Sequence, residues 1–360
     1  MRNYRRGGAL PYVVVALLMA AFALAVTGCG DDDKSSSGGG GGGGGDSADT
    51  GSGPPQGKQA KIAAFGITSP ETSRWDEQGK LAMEKAAGVL GAKPTWLSNI
   101  AFDQAGQTLD RLVREDHNVM ISNGAGFADG VLDAAAKYPD KWFWVYSALA
   151  DTKGLPNVVG IDLHWNEIGY LAGAIACTAS ESKKIGVVLA QPIPAYTHGL
   201  GGVTDGVKAA CGSEKNLLVT WSGTFDDNGK SKQATNALIG KGADVIIDFQ
   251  DAATPGVQSA IKEHPDVKYV GTMFDWANDI PDQIITSIAI DYEDGYVDTA
   301  KLLLDKKLEP KVYASGVATG GLELTAFANS DASVEEKGKK LFDDIKSGAV
   351  KVDLTHAVGE

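Results

Sequence analysis

The chain has 360 residues, 43% of them hydrophobic and 22% charged, and carries a formal net charge of −13. That is enough apolar material for two ordinary folded domains. The acidic balance excludes a protein that grips nucleic acid by neutralising phosphates with Lys and Arg.

The N-terminus is first basic, then apolar, then small. Arg2, Arg5 and Arg6 precede the run Tyr12 to Val26, and Val26-Thr27-Gly28-Cys29 follows. That order is the order of an export signal, and the run is short for a membrane-spanning helix. Val-Thr-Gly-Cys resembles the lipobox of bacterial lipoproteins, which implies cleavage of residues 1–28 and lipidation of Cys29. The other reading is an uncleaved N-terminal anchor. Both put the remainder outside the cytoplasm and at the membrane. Cleavage removes the three arginines and takes the net charge from −13 to −16. Residues 29–59 are dominated by Gly, Ser and Asp and cannot bury a core, so a disordered tether is expected. As a flexible coil it would reach roughly 30 Å.

The globular pattern starts at Lys61 to Gly66, an apolar strand, followed by a helix from about Glu77 to Leu90. Thr95 to Ser98 reads as a strand and Asp103 to His117 as a helix with Leu109, Leu112 and Val113 inward. Val119 to Ser122 is short and apolar, fit for a buried parallel strand. Asn123-Gly124-Ala125-Gly126 breaks it, and from Ala128 the apolar spacing turns helical. Strands at Trp142 to Ser147 and Val158 to Ile161 complete a first set.

The alternation then begins again. A helix is expected over Ile168 to Cys177, a strand over Lys184 to Leu189, a rigid Gln191-Pro192-Ile193-Pro194 turn and a helix to Ala210. Strands follow at Leu217 to Trp221, Ala243 to Phe249, Lys268 to Thr272 and Ile284 to Ile290, with helices over Ser231 to Ile239 and up to His264. A helix from Tyr292, a weak strand at Tyr313 to Val317 and a helix around Val334 to Ser347 finish the chain. Strands alternating with helices of this length predict parallel sheets with helices on both faces. The fold class is therefore α/β, two doubly wound three-layer lobes with a ligand cleft between them. The first lobe is expected to hold residues 60–164 and roughly 291–325, the second residues 165–290 and roughly 326–360. Cys177 and Cys211 each end a predicted helix; outside the cytoplasm they form either a disulfide or two buried thiols.

Several stretches together resemble the basic membrane protein family of ABC-transporter substrate-binding lipoproteins, whose fold is that of type I periplasmic binding proteins. They are Arg74-Trp75-Asp76, residues 124–143 (GAGFADGVLDAAAKYPDKWF), 156–176 (PNVVGIDLHWNEIGYLAGAIA), 191–206 (QPIPAYTHGLGGVTDG), 223–246 and 285–300. The resemblance covers the chain from about Lys61 onward. It implies a monomeric, lipid-anchored receptor that closes on a small solute and passes it to a permease and its ATPase. It further implies a purine-nucleoside-like ligand, stacked on aromatics and held by polar side chains. Carried over by position, Trp75 and Asp76 fall in the first ligand loop, and Phe127, Asp129 and Asp227 (or Asp226) match ligand positions. Thr72, Met273 and Ile290 depart from the nucleoside pattern, although Asp275 follows Met273.

Independently of that resemblance, ligands of such sheets bind beyond the strands' carboxyl ends. The residues standing there are Trp75, Asp76, Asn123, Phe127, Tyr196, His198, Phe225, Asp226, Asp227, Gln250, Asp251, Phe274, Asp275 and Trp276. Rings supply stacking area, and carboxylates accept hydrogen bonds from hydroxyl and N–H groups. Such a cleft favours a neutral or cationic polar-aromatic ligand over an anion. The plainer readings are also open: Phe127 as a loop seal, Asp76 and Asp227 as helix caps, Trp276 as a hinge plug, His198 as a loop histidine. The five histidines lack zinc spacing, and no nucleophile elbow or phosphate-binding loop is present, so no enzyme, cofactor or metal is expected. A ligand-sensing receptor or adhesin uncoupled from transport is the alternative function.

Overall fold

The computed structural model describes residues 54–147 and 151–359; the leader, Cys29 and most of the expected tether lie outside them. In chain order the elements are β1 (Lys61–Phe65), α1 (Arg74–Leu90), β2 (Lys93–Leu97), α2 (Ala105–Arg114), β3 (Val119–Ser122), α3 (Ala128–Lys137), β4 (Trp142–Tyr146) and β5 (Val158–Leu163). The second run is α4 (Trp165–Ala179), β6 (Ile185–Leu189), α5 (Pro194–Cys211), β7 (Leu217–Trp221), α6 (Asn228–Gly240), β8 (Val245–Phe249), α7 (Thr254–Lys262), β9 (Lys268–Met273) and β10 (Ile284–Ile290). It closes with α8 (Tyr292–Leu304), β11 (Val312–Ser315), β12 (Leu322–Leu324) and α9 (Ala332–Lys346).

Two six-stranded sheets result, ordered β11-β5-β4-β3-β1-β2 and β12-β10-β9-β8-β6-β7. All pairings are parallel except that of β12 with β10. The two doubly wound lobes expected from the sequence are the observed architecture. Helices cover both faces of the first sheet, so β3 and β4 are buried at every residue. Alternate side chains of β1 enter different cores: Ala63 and Phe65 join Leu109, Phe127 and Val131, whereas Ile62 and Ala64 face Met83, Ala86 and Leu90.

The chain passes between the lobes after β5, after β10 and between β11 and β12. Residues 322–324 pair in the second sheet, which corrects the expected first-lobe segment reaching about 325. The tether is corrected as well. Its expected end at 59 is already packed on the first lobe, where Trp142 Nε1 donates to the Pro55 carbonyl (3.0 Å) and Gly57 N to that of Leu303 (2.8 Å).

In the second lobe α4 and α5 lie so close that a Cβ at Gly169 would stand 1.9 Å from the Gly199 carbonyl oxygen. This glycine seam brings the first turns of both helices, with Trp165 and Tyr196, to one place at the cleft. At the far end a disulfide joins Cys177 and Cys211, whose Cα atoms are 6.1 Å apart.

Candidate functional site

Helix α1 begins at Arg74, three residues before the position expected from apolar spacing, because Ser73 is a true N-cap: its hydroxyl accepts from Asp76 N at 3.1 Å. Trp75 is thereby placed in the first turn, at the carboxyl ends of the first sheet. Its indole N–H donates to the Asn123 carbonyl at 2.8 Å. The ring stacks on Trp165 of the second lobe, with centroids 5.9 Å apart and planes at 28°. Tyr292 meets Trp75 edge-on at 5.4 Å, and Tyr146 stacks on Tyr292 at 5.2 Å. On the other side Trp165 continues to Tyr196 (5.6 Å) and Phe249 (6.4 Å), and Tyr196 to Phe225 (6.0 Å). Aromatic rings from both lobes therefore form one continuous lining.

Polar side chains are set between the rings. Asp76 is fully buried and accepts from Thr68 N (2.8 Å), Thr68 Oγ1 (2.6 Å) and Asn123 Nδ2 (2.9 Å). Asn123 in turn accepts from the Tyr296 hydroxyl at 2.8 Å. A Cβ on Gly66 would collide with the Asp76 carboxylate and one on Gly79 with the Asn123 amide, so the backbone is shaped around this pair. Asp251, from the second lobe, accepts from Ser73 Oγ (2.8 Å) and from Trp75 N (3.2 Å) of the first. Burial pushes its carboxyl up to about 7, against the opposing pull of the Ser73 and Trp75 hydrogen bonds, and the nearby charge of Asp76 adds to the rise. Gln250 Oε1 accepts from Ser222 Oγ (2.9 Å) and Ser231 Oγ (2.5 Å), while its Nε2 is buried without a partner. The hydroxyls of Tyr146 and Tyr292 are likewise buried and unpaired. Burial raises the phenols of Tyr146, Tyr196 and Tyr292 well above their ordinary value, so all three stay neutral.

Backbone strain collects at the same place. Ser147 (φ +71°), Asp251 (φ +56°) and Met273 (φ +67°) are left-handed residues just at or beyond the ends of β4, β8 and β9. Such conformations cost energy for non-glycine residues and persist where the surroundings impose them.

Of the expected ligand residues, Trp75, Asp76, Asn123, Gln250 and Asp251 converge on the cleft, with Phe225 at its edge. Trp276 is buried in the wall, its Nε1 donating to the Thr272 carbonyl at 2.9 Å, and Phe274 lies parallel to Tyr292 at 6.4 Å. Four of the expected ligand residues stand elsewhere in this structure. Phe127 is fully buried in the outer core of the first lobe, edge-on to Phe65 (5.0 Å) and Phe102 (4.9 Å), and cannot stack on a ligand there. Asp227 is exposed and caps α6 through Lys230 N (3.0 Å). Asp275 is exposed and accepts from Ala277 N (3.0 Å). Asp129 is exposed in the first turn of α3. His198 lies near the start of α5, not in a loop, and its Nδ1 is within 3.1 Å of both Asn166 Oδ1 and the Leu354 carbonyl. Sequence reasoning missed Trp165, Tyr146 and Tyr292. The first stands two residues beyond β5, at a strand end like the others, and would have been found had α4 been started there. Among the described residues no group of His, Cys, Asp and Glu is arranged to hold a metal ion, and no helix is long and apolar enough to cross a membrane.

Two α/β lobes crossing three times, with a buried polar-aromatic lining where their sheets face each other, define a solute-binding protein. The chain belongs to the Bmp family, ABC transporter substrate-binding protein PnrA-like, whose profile matches residues 73–353. It is a substrate-binding component of ABC transport, not an enzyme. It is 25% identical over 294 residues to a purine-binding protein of Brucella abortus (strain 2308), covering 81% of this chain and 82% of that protein. It is 27% identical over 150 residues, 41% of this chain and 42% of the other, to the ABC transporter nucleoside-binding protein BmpA of Lactococcus lactis subsp. cremoris. The fold is similar to that of an ABC transporter solute-binding protein from Aeropyrum pernix K1, with a TM-score of 0.71 at 17% identity, over 83% of this chain and 94% of that one.

Proposed function

We propose that this protein captures a purine nucleoside or nucleobase outside the cytoplasm, tethered through a lipid on Cys29, and delivers it to an ABC permease as a monomer. The observation that carries the ligand class is the facing pair Trp75 and Trp165, one from each lobe. A flat ring between them needs van der Waals contact of about 3.5 Å on each face, roughly 7 Å in all. The indoles, whose centroids are now 5.9 Å apart, must part to admit it, by a relative rotation of the lobes. Around that position Asp76 and Asp251 offer acceptors suited to ring N–H and ribose hydroxyl groups, and the unpaired Gln250 amide offers a donor. The names of the Brucella and Lactococcus relatives point to the same ligand class.

The charge of the lining argues for the nucleoside over its phosphate. Among the described residues the guanidinium at the cleft entrance is that of Arg74, and it is already paired with Asp279 at 2.9 Å. Thermal shift of the full-length protein with adenosine, guanosine, inosine, uridine, their 5′-monophosphates and glucose tests this, since binding stabilises the native state. At least one purine nucleoside is expected to raise Tm more than its monophosphate does. Glucose is included because a Haloferax volcanii relative, 25% identical over 56% of this chain and 51% of its own length, is named a putative glucose-binding protein. A response to glucose and to no nucleoside would overturn the purine reading.

A further inference from the structure

We propose that Arg74 is a positioning residue for solute capture, the clasp of a latch formed by Ser73, Arg74 and Trp75 that draws the two lobes together from outside the ligand lining. The inference rests on the reading of the cleft as the solute site. These three consecutive residues of the first lobe grip three separate pieces of the second. Ser73 Oγ and Trp75 N donate to Asp251. The Trp75 ring lies on Trp165. Arg74 reaches the loop after β9: Nη2 donates to both carboxylate oxygens of Asp279 (3.2 and 2.9 Å), Nη1 to the Asp275 carbonyl (3.2 Å), and the guanidinium lies 4.2 Å over the Trp276 ring.

The receiving surface is fixed before Arg74 arrives. Trp276 is anchored by Thr272 and by Ser287 Oγ (3.3 Å from its backbone N), and only glycine fits at 271, where a Cβ would stand 2.6 Å from the indole. A planar, forked cation over an aromatic ring with a two-oxygen acceptor is a geometry lysine cannot reproduce. Trp75 supplies a direct reporter. Its amide lies in the first turn of α1, where a helix offers no internal acceptor, and its partner is Asp251 across the cleft. Protection of that amide therefore measures closure itself.

The test is hydrogen exchange on full-length protein without ligand, alongside calorimetry with guanosine as probe. Arg74→Ala is expected to speed exchange of the Trp75 amide about 5- to 30-fold, from loss of a partly exposed forked ion pair and a cation–π contact. Guanosine affinity should fall by a similar factor, and Tm should hold because Arg74 and Asp279 lie at the surface rim. Arg74→Lys should recover only part, and the exchange of charges in Arg74→Asp with Asp279→Arg should restore protection relative to Arg74→Asp alone. Unchanged Trp75 exchange in Arg74→Ala would overturn the proposal, as would a charge-swapped protein no better than the single variant. Exchange needs no ligand, so failure of guanosine to bind would bear on the ligand reading alone and leave the latch to stand or fall on exchange.

Discussion

Replacing Asp251 by Asn should flatten the pH dependence of stability. Asp251 is buried between the lobes, its carboxyl pushed up to about 7 chiefly by loss of water and further by the charge of Asp76. An unfolded aspartate titrates near 3.9. The folded state therefore holds the Asp251 proton more tightly than the unfolded chain. This favours folding fully below about pH 4 and is lost as pH rises through about 7. Integrated between pH 5 and pH 8, the loss from this group is about 2–3 kcal/mol. Asp248, also raised by burial to about 6, works in the same direction, but it is common to wild type and variant and cancels in the difference. Urea unfolding of the full-length protein at pH 5, 6, 7 and 8 gives the stability of each form. The wild type should lose about 2–3 kcal/mol relative to Asp251→Asn across that range. Parallel curves would show that Asp251 reaches water and that the cleft is not closed around it.

Phe127→Ala should destabilise the first lobe by about 3–5 kcal/mol through the cavity it leaves, yet leave the affinity for a purine nucleoside unchanged in calorimetry. A loss of affinity without loss of stability would return Phe127 to the ligand site. Cys177→Ser opens a loop with a sequence separation of 34 and should cost about 3–4 kcal/mol in denaturant unfolding. Two thiols reacting in unfolded, unreduced wild type with the leader removed would contradict the bond.

The architecture was legible because period and punctuation agree. Short apolar runs ended by Gly, Asn or Pro marked the strands, and their repetition gave two lobes. What sequence could not give was the side of the sheet on which a residue at a strand end falls. Phe127 and Asn123 leave the same strand four residues apart, yet a short 3₁₀ turn at Ala125–Phe127 swings the phenylalanine into the α2–α3 core while Asn123 keeps its place beneath Trp75. Asp227 and Asp76 are both acids at helix starts; only Asp76 is covered, because Gly66 leaves room for its carboxylate. Trp165 was hidden by a helix assignment that began at Ile168, since apolar spacing says nothing about a first turn whose residues face a cleft. Ser73, three residues before Asp76, was the readable signal for the earlier start of α1. Contacts between lobes, such as those of Arg74 and Asp251, join positions about 180 to 200 residues apart and have no local signature.

We propose above all that a flat nitrogenous ring is held between Trp75 and Trp165. Calorimetry of wild type, Trp75→Ala and Trp165→Ala with the purine nucleoside that gives the largest thermal shift addresses it most directly. Each truncation is expected to weaken binding by about 1–3 kcal/mol, the range for loss of a stacked base. Binding by Trp165→Ala at wild-type affinity would contradict the account.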